Sequence, residues 1–266
     1  SNTSVRLIYS DKSYDDFIQI GYTPESNYCV YGLEKVPPPS KEDELLRTVR
    51  VPMTGTDRKN LLKQYLPGII AFVLVYLFAT IFRDIRDNFS ADMWKEMGYA
   101  AKPSTFSETE IPITIFILIL IGAVVAVKNS FKAFMIAHVF ILIGFVVAGL
   151  STYFFTQKLL DPFWWMLLVG LGLYLVYIPF NSIYFDRLIA AYSIKGNAGF
   201  FIYLADSIGY VGSVTVMLVK EGMTLEIEWT AFFAQSVMIL SFVGLFITAY
   251  AMYYFASKSR MTPLIQ

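Results

Sequence analysis

The chain has 266 residues, 56% of them hydrophobic and 16% charged, with zero formal net charge at pH 7, whereas charged residues make up about a quarter of an ordinary soluble domain. A mean hydropathy of +0.55 excludes a soluble globular protein, and the balanced charge removes any electrostatic case for nucleic acid. Cys29 is the single cysteine and His138 the single histidine, so no disulfide framework, Cys/His zinc site or Cys/His nucleophile pair can form within the chain. No cofactor, metal or enzymatic activity is expected.

Ser1-Asn2-Thr3 opens the chain without methionine or a signal peptide, which reads as a processed or truncated start. Residues 1–63 read as a cytoplasmic N-terminal segment and linker. Tyr14, Phe17, Tyr22, Tyr28 and Tyr31 alternate with polar residues, and Pro37-Pro38-Pro39 and the charged stretch Lys41 to Arg50 follow. Asp43, Glu44, Arg47 and Arg50 suit a short surface helix or, more simply, a solvated connector.

Six apolar runs follow at 64–86, 110–128, 132–155, 162–185, 197–219 and 229–256. Each is long enough, at about 1.5 Å per residue, to cross a hydrocarbon core of about 30 Å. The fold class is an all-α membrane protein of about six transmembrane helices over 64–256, with a cytoplasmic tail at 257–266. Lys and Arg cluster on one side, at Arg47, Arg50, Arg58, Lys59, Lys63, Lys128, Lys132, Arg187, Lys195, Lys258 and Arg260. Both termini are therefore expected in the cytoplasm. Trp94, Trp164, Trp165 and Trp229 fall at the opposite ends of the runs, where an interfacial belt is expected.

Three runs carry polar stripes at helical spacing: Tyr76, Thr80, Arg83 and Asp87 in the first; Gly170, Tyr174, Tyr177, Asn181 and Tyr184 in the fourth; Gly199, Tyr203, Asp206, Tyr210 and Ser213 in the fifth. Hydrocarbon cannot satisfy such groups, so the stripes should face one another or water. Asp206, near the bilayer middle, needs a partner, a cation or a proton; Tyr203 and Tyr210 share its face. Arg83 and Asp87, spaced i, i+4, can pair, and Arg83 could act as a gate or an anionic-substrate clamp. Asp84 is expected to project into water. Pro179 frees a carbonyl beside Asn181. Arg86, and Asp186 with Arg187 at the other mouth, are candidate gating residues. His138 reads as a packed histidine rather than a proton relay. Gly144, Ala148, Gly209, Gly212 and Ser213 are small residues suited to close helix packing.

The strings Phe82 to Phe89 (FRDIRDNF), Pro179 to Ala190 (PFNSIYFDRLIA) and Asn197 to Gly212 (NAGFFIYLADSIGYVG), with a linker ahead of six spans, resemble the carboxy-terminal half of a major facilitator superfamily transporter. More closely they resemble an uncharacterised bacterial family within that superfamily. The likeness covers about residues 36–260, although the loop Lys128 to Lys132 lacks the Gly-x-x-x-Asp-Arg-x-Gly signature. It implies a half bundle of that superfamily, with a substrate site between two six-helix halves and access that alternates by rocking.

The expected function is that of a secondary transporter, or half of one, moving a small solute across a bacterial inner membrane, with proton coupling one option. Asp206, Tyr203, Tyr210, Arg83, Asp87, Tyr177 and Asn181 would line the pathway. The partners implied are the lipid bilayer, a small-molecule solute and either an N-terminal six-helix half or a second copy of the chain. The alternative is a non-transporting sensor or scaffold built on the same bundle.

Overall fold

A computed structural model describes residues 4–5, 20–21, 53–99, 103–194, 196–222 and 228–261. The linker Pro37-Pro38-Pro39, the stretch Lys41 to Arg50 and Cys29 lie outside these residues. The chain divides into two units, Ser1–Val49 and Arg50–Gln266. In the first, β1 (Ser4–Val5) pairs antiparallel with β2 (Ile20–Gly21), Ser4 opposite Gly21.

The second unit is helical: α1 Gly55–Glu96, α2 Pro103–Val125, α3 Ser130–Thr156, α4 Pro162–Pro179, a π-helical turn Phe180–Tyr184, α5 Phe185–Ala191, α6 Ala198–Gly222 and α7 Trp229–Met261. Among the described residues, six helical segments, counting α4 to α5 as one, are long and apolar enough to cross a membrane. The protein is an all-α integral membrane protein.

The first span is longer than its apolar run because local chemistry fixes its start. Thr54 accepts from the Asp57 amide at 3.2 Å while Asp57 accepts from the Thr54 amide at 3.0 Å, a reciprocal capping box. Its far end also runs on, to Glu96, whose carboxylate accepts the amides of Trp229 at 2.9 Å and Thr230 at 2.8 Å. The end of α1 thus satisfies the orphan donors at the start of α7. Asn129 caps α3 through the Lys132 amide at 2.8 Å. Asp161 caps α4 through the Phe163 amide at 2.9 Å and accepts from the Tyr99 hydroxyl at 2.8 Å. That carboxylate pushes the Tyr99 hydroxyl pKa up.

α1 packs on α4, α6 and α7, and α3 packs on α4, α5 and α7, while α2 rests on α4 and α6 rests on α1. Close approach is possible where side chains vanish. A Cβ on Gly144 would meet the Gly172 carbonyl oxygen at 2.6 Å, and one on Gly212 would meet Leu77 of α1 at 2.5 Å. The core between the helices is aromatic: Phe72, Phe134, Phe145, Phe201 and Phe255 are all fully buried. The most hydropathic window of the span from α4 to α5 is 61% buried, against 22% for α2 and α6, so these two helices are the least covered of the spans. On the outer face of α7, Ile239, Phe242 and Phe246 are exposed and apolar, as lipid contact requires.

The tryptophans correct the expected belt. Trp94 and Trp165 are fully buried and Trp229 is buried; only Trp164 is exposed. Stacking decides this: Trp165 lies flat on Phe155 at 3.9 Å with Nε1 donating to Thr152 at 3.0 Å, and Trp229 lies on Phe89 at 3.7 Å.

Candidate functional site

Polar side chains of α1 gather in three adjoining groups, the first two completed by α4 and α6 and the third by α2 and α4. The first stands near mid-span. Tyr76, buried in α1, donates its hydroxyl proton to Asp206 of α6. The same oxygen accepts from Asn181 Nδ2 at 3.2 Å, and the Tyr177 hydroxyl stands 3.4 Å away. Asp206 lies eight residues beyond Ala198, ~12 Å along α6 by helix rise, so a carboxylate sits deep in the span. It is half-buried rather than enclosed.

α4 supplies this group through an irregularity. Pro179 cannot donate to the carbonyl one turn back, and the helix passes directly into the π turn Phe180–Tyr184, where it carries Asn181. π turns are rare and gather at functional positions. The wider turn takes Tyr184 off the stripe read from the sequence. Its hydroxyl instead meets His138 Nε2 at 3.1 Å inside the core, while His138 Nδ1 donates to the Phe134 carbonyl at 2.9 Å. Those contacts fit a neutral, packed imidazole.

The second group lies two turns further along α1. The Arg83 guanidinium stacks 4.0 Å from the Tyr177 ring centroid, and that ring also stacks on Tyr76 at 5.4 Å. Arg83 does not pair with Asp87. Its fork grips Asp84, with Nε at 3.0 Å, and Asp84 in turn accepts from Ser213 of α6. The Asp84 side chain is 18% exposed, so it does not project into water. The i, i+4 pair loses because Ser213 fixes Asp84 beside the arginine, whereas Asp87 is turned towards Arg86 and Tyr174.

The third group is built on Arg86, which is only 2% exposed. It donates to Glu110 of α2 at 2.7 Å, to the Met166 carbonyl of α4 at 3.1 Å and to Asp87 at 3.4 Å, leaving Nε without a hydrogen-bond partner. Asp87 accepts from Tyr174 at 3.3 Å. A buried guanidinium needs such partners, because stripping one is costly.

Other sequence candidates lie elsewhere. Tyr203 and Tyr210 are exposed on α6, at 74% and 52%, neighbouring Asp206 in sequence but making no hydrogen bond to it. Asp186 is exposed at the start of α5; Arg187 donates to the Val125 carbonyl at 3.2 Å, capping the end of α2. Gly209 lies against Thr80 and Tyr76. Sequence reasoning missed Glu110 and Asp84 as partners and assigned Ser213 to packing alone. Residue spacing carried no signal for Glu110, because Arg83 and Arg86 already stand beside Asp84 and Asp87 in the same run. A cavity of about 220 Å³ lies at the other end of α1, lined by Asp57, Asn60, Gln64, Tyr65 and Tyr192. Of the three groups, the first reaches the surface at Asn181 and the third at Asp87, while Asp84 and Ser213 line a small void. Among the described residues, no cluster of three or more His, Cys, Asp and Glu is placed to hold a metal ion.

The fold and these groups define an integral membrane protein of six helices with a charged, hydroxyl-rich face within its spans. The chain belongs to the family of unknown function DUF5690, whose model matches residues 17–258. No curated protein and no solved structure matches it.

Proposed function

We propose that the chain is a secondary transporter, or the carboxy-terminal half of one, that moves a small solute by alternating access without chemistry on it. The observation that carries the reading is the meeting of Tyr76, Tyr177, Asn181 and Asp206, from three separate helices, deep in the spans. Lipid cannot satisfy an exposed amide beside a half-buried carboxylate at that depth. Such a face calls for a water-filled passage with protein on its other side. The resemblance of the three sequence strings to the major facilitator superfamily supplies the geometry: a second six-helix bundle, either an upstream half or another copy of the chain, closes over the face, and the two rock about the site. The excess of Lys and Arg on one side supports cytoplasmic termini, in a bacterial inner membrane.

The test is uptake. The full native polypeptide is purified from its own membranes, reconstituted into proteoliposomes and offered a soluble-metabolite extract, and retained solutes are identified by mass spectrometry. A solute taken up by the native protein and lost in Asp206→Asn, at equal reconstituted abundance, supports transport. Uptake indifferent to the joint removal of Asp206 and Arg83 would overturn this pathway, and no uptake at all would leave a sensor or scaffold as the better reading.

A further inference from the structure

The charges of the polar face do not balance, and the imbalance has a position. Among its described residues, Arg83 and Arg86 face Asp84, Asp87, Glu110 and Asp206. Both arginines are already engaged with protein carboxylates. Arg83 holds Asp84 and has its flat face against Tyr177, while Arg86 holds Glu110 and Asp87 and is buried. An incoming carboxylate or phosphate would have to displace a protein carboxylate from either one. The anionic-substrate clamp expected for Arg83 is therefore already occupied.

Asp206 is different. Its described hydrogen bond is a neutral one, from the Tyr76 hydroxyl, and none of the described ion pairs includes it. Around it stand hydroxyls and rings. Asn181 lies with both ends of its amide against the Tyr76 hydroxyl, Nδ2 at 3.2 Å and Oδ1 at 3.4 Å, so it completes the Tyr76 contact rather than offering a free acceptor. Tyr203 and Tyr210, three residues before and four after Asp206 on the same helix, present exposed rings. A carboxylate without a cationic partner, flanked by aromatic faces, is the chemistry that receives an ammonium group, by charge and by attraction to the ring.

We propose that this face recognises a solute carrying an organic ammonium group, seated on Asp206 with Tyr203 and Tyr210 as its aromatic walls, and that it rejects carboxylates and phosphates. The inference rests on the transport reading for its purpose but not for its chemistry, which a binding measurement reads independently.

The experiment places a reporter thiol in the site. In the full chain with Cys29→Ser, Asn181→Cys is reconstituted in nanodiscs, so that both mouths are open, and checked for a single species by size exclusion. Its rates of modification by the trimethylammonium-ethyl and sulfonato-ethyl methanethiosulfonates are compared with those of a free small thiol in the same buffer. The cationic reagent should be favoured by a further factor of about ten or more, as a unit charge within a few ångströms in a medium of intermediate dielectric requires. A ratio equal to that of the free thiol, or favouring the sulfonate, overturns the proposal. In a second measurement, tetramethylammonium should slow labelling of the same cysteine by neutral N-ethylmaleimide, and sodium acetate should not. Protection by sodium in place of tetramethylammonium, or by neither, overturns the ammonium assignment. Because Asp206 is retained throughout, a folding defect at that residue cannot imitate either result. A high cation ratio without uptake would remove the transport reading and leave the cation site standing; uptake of an anion with no cation preference would do the reverse.

Discussion

Gly170 of α4 and Arg86 of α1 share one volume: a Cβ built on Gly170 would fall 2.5 Å from Arg86 Nη2 and 2.6 Å from Cζ. The missing side chain is what lets a guanidinium lie between two transmembrane helices and reach the Met166 carbonyl and Glu110. Gly170→Ala should push the guanidinium out of this seat and lower stability by about 1–3 kcal/mol, the usual range for overpacking a filled interior. Thermal unfolding of the purified protein in detergent reads this, and an unchanged midpoint would show that Arg86 is not lodged there.

Arg86 has two carboxylate partners on different helices, and the nearer, Glu110, is also the side-chain bond that joins α1 to α2. Glu110→Gln alone should cost no more than about 1 kcal/mol, because Asp87 stays to balance the charge. Joining it with Asp87→Asn leaves a buried guanidinium without a counter-charge and should cost about 3–5 kcal/mol. A denaturant titration of the two single variants and the double one checks this, and strict additivity would sink the idea of a shared charge.

Tyr76→Phe removes the donor to Asp206 and should destabilise the protein by about 1–3 kcal/mol, since the carboxylate loses its bond at mid-span. In an Asp206→Asn background the same change should cost measurably less. The double-mutant cycle supplies the coupling energy, and a coupling of zero would mean that the two groups do not act on one another.

Glu96 offers a test outside the polar face. Its carboxylate accepts from the Trp229 and Thr230 amides and the Thr230 hydroxyl, so Glu96→Ala should lower stability by about 1–2 kcal/mol, as loss of a helix cap does. Hydrogen exchange should quicken first at the start of α7, at Trp229 and Thr230. Protection there that survives the substitution would show that water caps the helix equally well.

The groups on the polar face differ in how legible they were. Tyr76, Tyr177, Asn181 and Asp206 lie on helical stripes, because spacing along one helix is a property of sequence, and the structure brings these four together. Tyr203 and Tyr210 satisfy the same spacing yet stand exposed, since a stripe tells which residues share a face but not how far a neighbouring helix reaches. Tyr184 left its stripe at the π turn after Pro179, a change of helical period that residue spacing assumes away. Arg83 took Asp84 rather than Asp87 because Ser213, on a helix more than a hundred residues later in the chain, holds Asp84 in place.

Membrane residence and six crossings were legible along the chain, for hydrophobic length is additive and needs no partner to be read. Which charges meet was settled by the packed bundle. A guanidinium buried behind a glycine, a carboxylate claimed by a distant serine and tryptophans drawn inward by stacking all depend on distances between helices. Those distances are set by packing across the whole bundle, which no local pattern encodes.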